Sequence, residues 1–224
     1  RLPAMPVASS NLEGESTFAN IRAGLLVAWQ SEKIRPAIIL IFGLGLFFAS
    51  SYMVILPLMV RDIFDGGARE IAIAYASNML GTCTIIMFLM QRGGVERPGR
   101  ALILTGIFSS LVVSCLHFNL SEFAFYLVIY VWGICGGVAM TLSRAIVQEA
   151  SPPTHRARIL SVFTLGMMGG MPVGSAILGV LVEYMGVQNA VLVPGLGMLV
   201  VLAYLYVATN LYEIKRKPVA IEAL

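Results

Sequence analysis

The sequence is poor in charge, and its few charged residues avoid its long apolar stretches. Only 12% of the 224 residues are Asp, Glu, Lys or Arg, whereas 58% are hydrophobic. Soluble domains carry roughly a quarter of their residues as charges, so a soluble globular fold is a poor match for this composition. The composition instead indicates a chain that is surrounded by the lipid bilayer.

Residues that carry enzyme chemistry are equally scarce. The three cysteines (Cys83, Cys115 and Cys135) stand singly in apolar stretches, so we interpret them as small apolar side chains rather than as a disulfide or metal ligands. The two histidines, His117 and His155, fall in loops, and no Gly-x-Ser-Gly motif, phosphate-binding loop or metal-ligand cluster occurs. We therefore expect no catalytic residue, no metal and no cofactor, and an intramembrane enzyme is the least favoured function.

Six apolar segments are long enough to cross a bilayer. A membrane helix needs about 20 mostly apolar residues, whereas β-barrel strands are about half as long and alternate with polar residues. Helices are predicted because lipid cannot satisfy unpaired backbone groups. The predicted spans are Ala37–Val60, Ile71–Met90, Ala101–Leu116 (with an extension to Leu120 left open), Glu122–Gln148, Ile159–Tyr184 and Asn189–Leu211. The predicted fold class is an all-α integral membrane protein, with a six-helix transmembrane bundle over residues 37–211.

The segments outside the bundle are predicted to be a linker over residues 1–36 and a tail over residues 212–224. Four apolar residues of the linker recur at helical spacing, namely Phe18, Ile21, Leu25 and Trp29. This spacing favours an interfacial helix on the membrane surface, and a part-helical linker remains the alternative. Because the sequence starts without Met or a signal-peptide pattern, we expect it to be a fragment.

The cations are concentrated on one side of the predicted bundle. Thirteen of the fifteen Lys and Arg residues fall on the side that carries both termini, and Arg61 and Arg69 fall on the other. The acidic residues divide seven to five and do not share this bias. Lys and Arg are retained in the cytoplasm, whereas Asp and Glu contribute little to orientation. The pattern therefore predicts a multi-pass protein with both termini in the cytoplasm.

The loop after the second span holds a basic motif. From Gln91 to Arg100 it reads QRGGVERPGR, in which the glycines permit a tight turn and the charges can bridge neighbouring helix ends. The loop resembles the cytoplasmic signature of the major facilitator superfamily, an acidic residue followed by Arg-x-Gly-Arg. Two positions depart from that signature: Glu96 replaces the usual Asp, and Arg92 replaces the usual leading Gly.

A second motif opens the fifth span. Pro152 is followed by Arg156 and Arg158 and then by a glycine-rich helix. This arrangement resembles the start of the eleventh helix in many facilitator exporters, in particular the branch that contains the enterobactin exporter and related drug-efflux proteins. The resemblance covers nearly the whole chain and aligns it with helices seven to twelve of a twelve-helix fold. It implies half of a facilitator, built as a 3+3 inverted repeat, in a bacterial inner membrane.

Small residues in the fourth and fifth spans are predicted to pack helices closely. The candidates are Gly133, Gly137, Gly166, Gly170 and Gly174. Glycines four residues apart let two backbones approach, and the proline of the fifth span can kink its helix. Simple close packing is the alternative to a mobile contact at these positions.

Polar side chains inside the apolar spans are candidates for a substrate path. They are Ser51, Tyr52, Asn78, Thr82, Thr141 and Arg144. Asn78 and Thr82 share one face of a helix because they are four residues apart. Arg144 either extends its charge to the membrane interface or lines a cavity. For the uncharged residues, hydrogen bonding between helices is the alternative role.

The resemblance also implies roles for the spans and loops. It implies that the first, second, fourth and fifth spans line a cavity, while the third and sixth stay outside it. It further implies that the signature arginine reaches an acid at the end of the fourth span. We therefore hypothesise a conformational latch made of Glu96, Arg97, Arg100, Glu149, Arg156 and Arg158.

The predicted function is secondary active transport, with export of a small lipophilic molecule, drug or siderophore by rocker-switch alternating access. The expected partners are the lipid bilayer, a small-molecule substrate, and either the N-terminal six-helix half or a second copy; no nucleic acid is expected. The spans contain no acid for proton coupling, so the coupling acid belongs to the other half or the substrate brings its own charge. A non-transporting scaffold or inactive half-transporter is the alternative.

Overall fold

The computed structural model describes residues 29, 31–32, 34–92, 94–152, 156–209 and 212, and they form six helices of membrane-spanning length and composition. The helices are α1 (Ile34–Phe64), α2 (Ala68–Gln91), α3 (Pro98–His117), α4 (Glu122–Ala150), α5 (Arg156–Met185) and α6 (Val187–Ala208). These described ranges contain no strand. The predicted fold class, an all-α membrane protein with a six-helix bundle, is confirmed.

The helix ends differ from the predicted spans. Helix α1 begins at Ile34 rather than at Ala37, because hydropathy locates the apolar centre of a span whereas the helix continues into the polar interface. Helix α6 ends at Ala208 rather than at Leu211, since Thr209 has an extended backbone that stops it. The predicted linker and tail fall mostly outside the described residues, so their assignment stays a prediction.

Helix α3 ends in a 3₁₀ turn, and His117, its last residue, contacts the start of α6. The turn covers Cys115–His117. Nδ1 of His117 lies 2.9 Å from the carbonyl oxygen of Gln188, and Nε2 of Gln188 donates to Oδ1 of Asn119 at 2.6 Å. The loop after α3 is therefore tied to the start of α6.

The contacts between helices have an internal symmetry. Helix α1 packs against α5 and α6, and helix α4 packs against α2 and α3. Helices α3 and α6 also pack against each other, as do α1 and α4. Exchanging the first three helices for the last three maps this set of contacts onto itself. The packing thus has the form expected of a repeated three-helix unit.

Helices α2 and α4 approach most closely at two glycines. A Cβ added at Gly133 would lie closer than 3.0 Å to the carbonyl oxygen of Asn78, and one added at Gly81 would lie equally close to that of Tyr130. Backbone atoms cannot move aside as a flexible side chain can. Both positions therefore require glycine at the observed helix separation.

Helix α1 contains a π-helical turn, Leu44–Ala49, where it meets α5. Gly170 and Gly174 lie directly against the backbone of this region, and a Cβ at either would come closer than 3.0 Å to it. The hydroxyl groups of Ser50 and Ser51 donate to carbonyl oxygens of the same turn. The wider turn is therefore held by close backbone packing against α5 and by hydrogen bonds from the two serines that follow it.

The other two predicted packing glycines differ: Gly137 is also tightly packed, 3.2 Å separating an added Cβ from the carbonyl oxygen of Thr82, whereas Gly166 has more room. A Cβ at Gly137 would meet the side chain of Ile85, and one at Gly166 would make an ordinary 3.4 Å contact with Ile41. Space therefore remains beside Gly166, and an open groove occupies it.

Candidate functional site

A chamber of about 330 Å³ lies between α1, α2, α4 and α5. We call it the central chamber. Its principal lining residues are Phe48, Tyr52, Met53, Asn78, Met79, Thr82, Trp132, Met140, Met167 and Met171. Among the residues that the structure describes, α3 and α6 contribute nothing to this lining. This is the division between inner and outer helices that the resemblance implied.

Three aromatic side chains form one wall of the central chamber. The ring of Trp132 lies edge-on to Phe48 and to Tyr52, with 6.2 Å between ring centroids in each pair. Tyr52 also packs against Tyr75, at 4.8 Å. Edge-to-face contacts of this kind fix the ring positions. The wall therefore presents a preformed aromatic surface.

Five methionines complete most of the apolar lining. They are Met53, Met79, Met140, Met167 and Met171. Methionine is unbranched and polarisable, so it can adapt to ligands of different shapes. Met53 and Met79 are half exposed, which shows that the central chamber is open on that side.

Asn78 and Thr82 connect the central chamber to the contact between α2 and α4. Nδ2 of Asn78 donates to the carbonyl oxygen of Ile129 at 3.2 Å, and Oγ1 of Thr82 donates to that of Gly133 at 3.0 Å. Both side chains also line the chamber. The structure thus brings Tyr52, Asn78 and Thr82 of the predicted substrate path together in the chamber lining. Asn78 and Thr82 also form hydrogen bonds between helices, which is the alternative role considered for them.

The other three substrate-path candidates lie outside the lining of the central chamber. Ser51 is buried, and its hydroxyl donates to the carbonyl oxygen of Phe47 at 2.6 Å. Thr141 lines a different cleft. Arg144 is exposed, and it follows Met140 by four residues. It therefore continues the chamber-lining face of α4 by one turn toward the end of the bundle that carries most cations.

That end of the bundle contains a second cleft, of about 270 Å³. Gly94, Val95 and Pro98 line one side of it, and Thr141 and Glu149 line the other. We call it the basic-end cleft. The signature loop therefore packs against the last turns of α4, where the predicted acidic partner lies.

The predicted latch residues around the signature loop are well separated from the central chamber. Glu96 and Arg97 are exposed immediately before α3. Nε of Arg100 donates to the hydroxyl oxygen of Tyr212 at 2.5 Å, and its guanidinium group lies 4.8 Å from the centre of that ring. The contact with Tyr212 had no signal in the sequence, because it joins residues that are 112 positions apart.

The remaining latch candidates lie at neighbouring helix ends. Glu149 lines the basic-end cleft near the end of α4. Arg156 is exposed and Arg158 is half-buried in the first turn of α5. The six candidates therefore share one end of the bundle, and the latch itself stays a prediction.

Sequence reasoning missed much of the aromatic and methionine lining. Phe48 and Trp132 come from helices far apart in sequence, so no local motif joins them. Two signals were available: the chain has 12 methionines, and Trp132, Gly136 and Met140 recur every four residues on α4. Such a stripe marks one face of a helix.

Metal binding has no candidate in the described ranges, where no three His, Cys, Asp or Glu side chains converge. Cys83 and Cys115 are exposed, Cys135 is buried, and all three are free thiols.

A comparison with protein families identifies the kind of protein. The profile of the family described as transmembrane secretion effector, a branch of the major facilitator superfamily, matches residues 4–220. The chain belongs to this family. This major facilitator protein is a multi-pass membrane protein, since its six long apolar helices and its family agree. No curated protein and no solved structure matches the chain significantly.

Family membership indicates a membrane transporter. Major facilitator proteins are membrane transporters rather than enzymes, and the central chamber lies among the helices that would surround a transported solute. The central chamber is therefore the candidate substrate site of this facilitator, and the basic-end cleft is the region that holds the latch candidates.

Proposed function

We propose that the central chamber forms part of the substrate path of a secondary active exporter for a small lipophilic molecule, a drug or a siderophore. The observation that supports this most strongly is the lining itself, in which three aromatic rings and five methionines surround two polar side chains, Asn78 and Thr82. Ligand pockets are typically apolar, with a few polar groups that orient the ligand. This lining favours an aromatic or aliphatic solute over a small ion.

The absence of charged side chains from the described part of the chamber lining also supports a solute whose main body is uncharged. The chamber lining contains no Asp, Glu, Lys or Arg among the described residues. A charged group would enter such a chamber without a counter-charge and at a high desolvation cost. We propose that Arg144, one turn beyond the chamber, contacts an anionic substituent of the substrate or an acidic residue of the partner half.

The open side of the chamber supports a partner. In the most apolar stretches of α2 and α5 only 17% of the residues are buried, compared with 56% in α1. We propose that the chain acts as helices seven to twelve of a transporter of the enterobactin-exporter branch. An N-terminal six-helix half, or a second copy, then covers the open side and rocks against it. In this arrangement both termini are cytoplasmic, in a bacterial inner membrane.

An efflux assay tests the proposal. The complete reading frame that encodes this chain is expressed in a strain without its own pumps, and efflux of siderophores and lipophilic drugs is measured. Trp132→Ala is expected to lower efflux by about tenfold, because a lost aromatic contact costs on the order of 1.4 kcal/mol. Phe108→Ala is the matched control, since Phe108 is an exposed aromatic residue of α3 outside the chamber lining.

Two results would count against the proposal. If Trp132→Ala and Phe108→Ala lost efflux equally at equal protein levels, transport would not depend on the central chamber. If the unaltered protein exported none of the compounds, the alternative of a non-transporting scaffold or inactive half-transporter would be favoured.

A further inference from the structure

An apolar groove lies between α1 and α5, away from the central chamber. Its volume is about 400 Å³. Ile39 and Phe42 of α1 line one side, and Val162 and Leu165 of α5 line the other. Trp29, from the segment before α1, also lines the groove. We call it the outer groove. Every residue of its lining is apolar or glycine.

The outer groove and the central chamber lie on opposite sides of the contact between α1 and α5. Leu165 lines the groove, whereas Met167 lines the chamber. On α1, Phe42 lines the groove and Leu44 lines the chamber. Residues two positions apart on a helix project about 200° apart. The groove therefore faces away from the proposed substrate path, toward the surrounding lipid.

Two arginines stand in line with the groove at the basic end of the bundle. Arg35 precedes Ile38, Ile39 and Phe42 by three, four and seven residues, so it lies on the groove-lining face of α1. Arg158 precedes Val162 by four residues on α5, on the corresponding face. Both arginines are half-buried.

Charge and aromatic placement agree with a lipid at this position. Over residues 29–39 and 156–166 the sequence has four cations and one anion, Glu32. Trp29 is 52% exposed at the same end of the groove, where tryptophan commonly anchors a protein at the headgroup level. Basic pockets between membrane helices at the cytoplasmic side favour anionic headgroups.

We propose that the outer groove binds an anionic phospholipid, with one acyl chain along Ile39, Phe42, Val162 and Leu165. The headgroup phosphate accepts hydrogen bonds from Arg35 and Arg158. The inference does not depend on the central chamber or on the partner half, because every group it uses belongs to α1, α5 and the segment before α1; it shares Arg158 with the latch hypothesis.

Tryptophan quenching by brominated lipids tests this site directly. The chain has two tryptophans, so Trp132→Phe leaves Trp29 as the single reporter. The protein is reconstituted in phosphatidylcholine vesicles that contain a minor fraction of either brominated phosphatidylglycerol or brominated phosphatidylcholine. We expect Trp29 to be quenched more strongly by the anionic lipid. Arg35→Gln and Arg158→Gln should each lower that preference by roughly fivefold.

Matched variants separate a built site from general surface charge. Arg156→Gln is the charge control, because Arg156 is exposed and lies about 200° from Arg158 on α5. It should retain the preference for the anionic lipid. Gly166→Leu fills the groove and should reduce quenching by both lipids, whereas Gly179→Leu, where an added Cβ meets open space, should not.

Equal quenching of Trp29 by the two lipids would overturn the proposal, as would a loss in Arg156→Gln as large as that in Arg35→Gln. Neither outcome bears on efflux through the central chamber, so the lipid site and the transport function can fail separately.

Discussion

At the residue scale, the contact between α2 and α4 depends on glycines, which carry no side chain. Gly133 lies against the backbone of Asn78, and Gly136, three residues further along α4, faces open space. The two glycines therefore have opposite requirements within one turn of the same helix. Substituting each glycine by alanine therefore separates the cost of disturbed packing from the gain in helix preference.

We predict that Gly133→Ala lowers the free energy of unfolding by about 1–3 kcal/mol, because the added methyl group must separate two backbones. Gly136→Ala should leave it unchanged or raise it by up to about 1 kcal/mol, since alanine is the better helix former. Unfolding by denaturing detergent, followed by circular dichroism, measures both. A Gly133→Ala protein as stable as Gly136→Ala would contradict the observed helix separation.

Thr82→Val tests the hydrogen bond that accompanies this glycine contact. Its loss should lower the free energy of unfolding by about 0.6 kcal/mol, the typical contribution of a hydrogen bond between membrane helices. Ser77→Ala is the control, since the exposed hydroxyl of Ser77 bonds only within its own helix, to the carbonyl oxygen of Ile73. The same detergent titration applies, and similar effects of the two substitutions would show that the Thr82 bond between helices contributes nothing.

At the element scale, hydropathy located all six helices, because long apolar segments have no other stable form in lipid. It could not predict which face of each helix is buried. The centre of α6 is apolar throughout, yet Met198 is fully buried while Val200 is 70% exposed. Apolar side chains suit lipid and protein neighbours equally well, so composition alone does not distinguish them.

The candidate site was predictable only where polarity departs from its surroundings. Asn78 and Thr82 stand out in an apolar helix, and the structure places both in the chamber lining. Phe48 and Trp132 do not stand out, and their contact depends on how α1, with Phe48 in its π-helical turn, packs against α4. That packing joins residues distant in sequence, which no local pattern encodes.

The basic-end cleft leads to a prediction about the latch. In the complete transporter, Arg97→Ala and Glu149→Ala should each reduce transport, and the double variant should be no worse than either single one. The expected coupling is on the order of 1–3 kcal/mol, as for groups that act as one unit. Arg92→Ala is the control, because the Arg92 guanidinium lies over the Phe88 ring.

The latch hypothesis fails if Arg97→Ala and Glu149→Ala have fully additive effects on transport. It also fails if Arg92→Ala couples to Glu149→Ala as strongly as Arg97→Ala does, since the effect would then reflect the net charge of the loop.

At the scale of the whole molecule, the bundle combines a symmetric set of helix contacts with an asymmetric set of charges. The contacts relate the first three helices to the last three, while thirteen of fifteen cations are expected at one end. Together with the family, the two patterns support the proposal of a half-transporter whose chamber opens to a partner and whose basic end lies in the cytoplasm. The proposed roles of the chamber, the latch and the lipid site therefore all depend on the orientation of the bundle in the membrane.

Cysteine accessibility in intact cells tests this orientation most directly. Single cysteines at Gly67, Asn119 and Gln91, all exposed, are introduced into a variant without the three native cysteines, and each is reacted with a membrane-impermeant maleimide. Gly67→Cys and Asn119→Cys should react in intact cells, and Gln91→Cys only after permeabilisation. Reaction of Gln91→Cys from outside, with protection of the other two, would contradict the account.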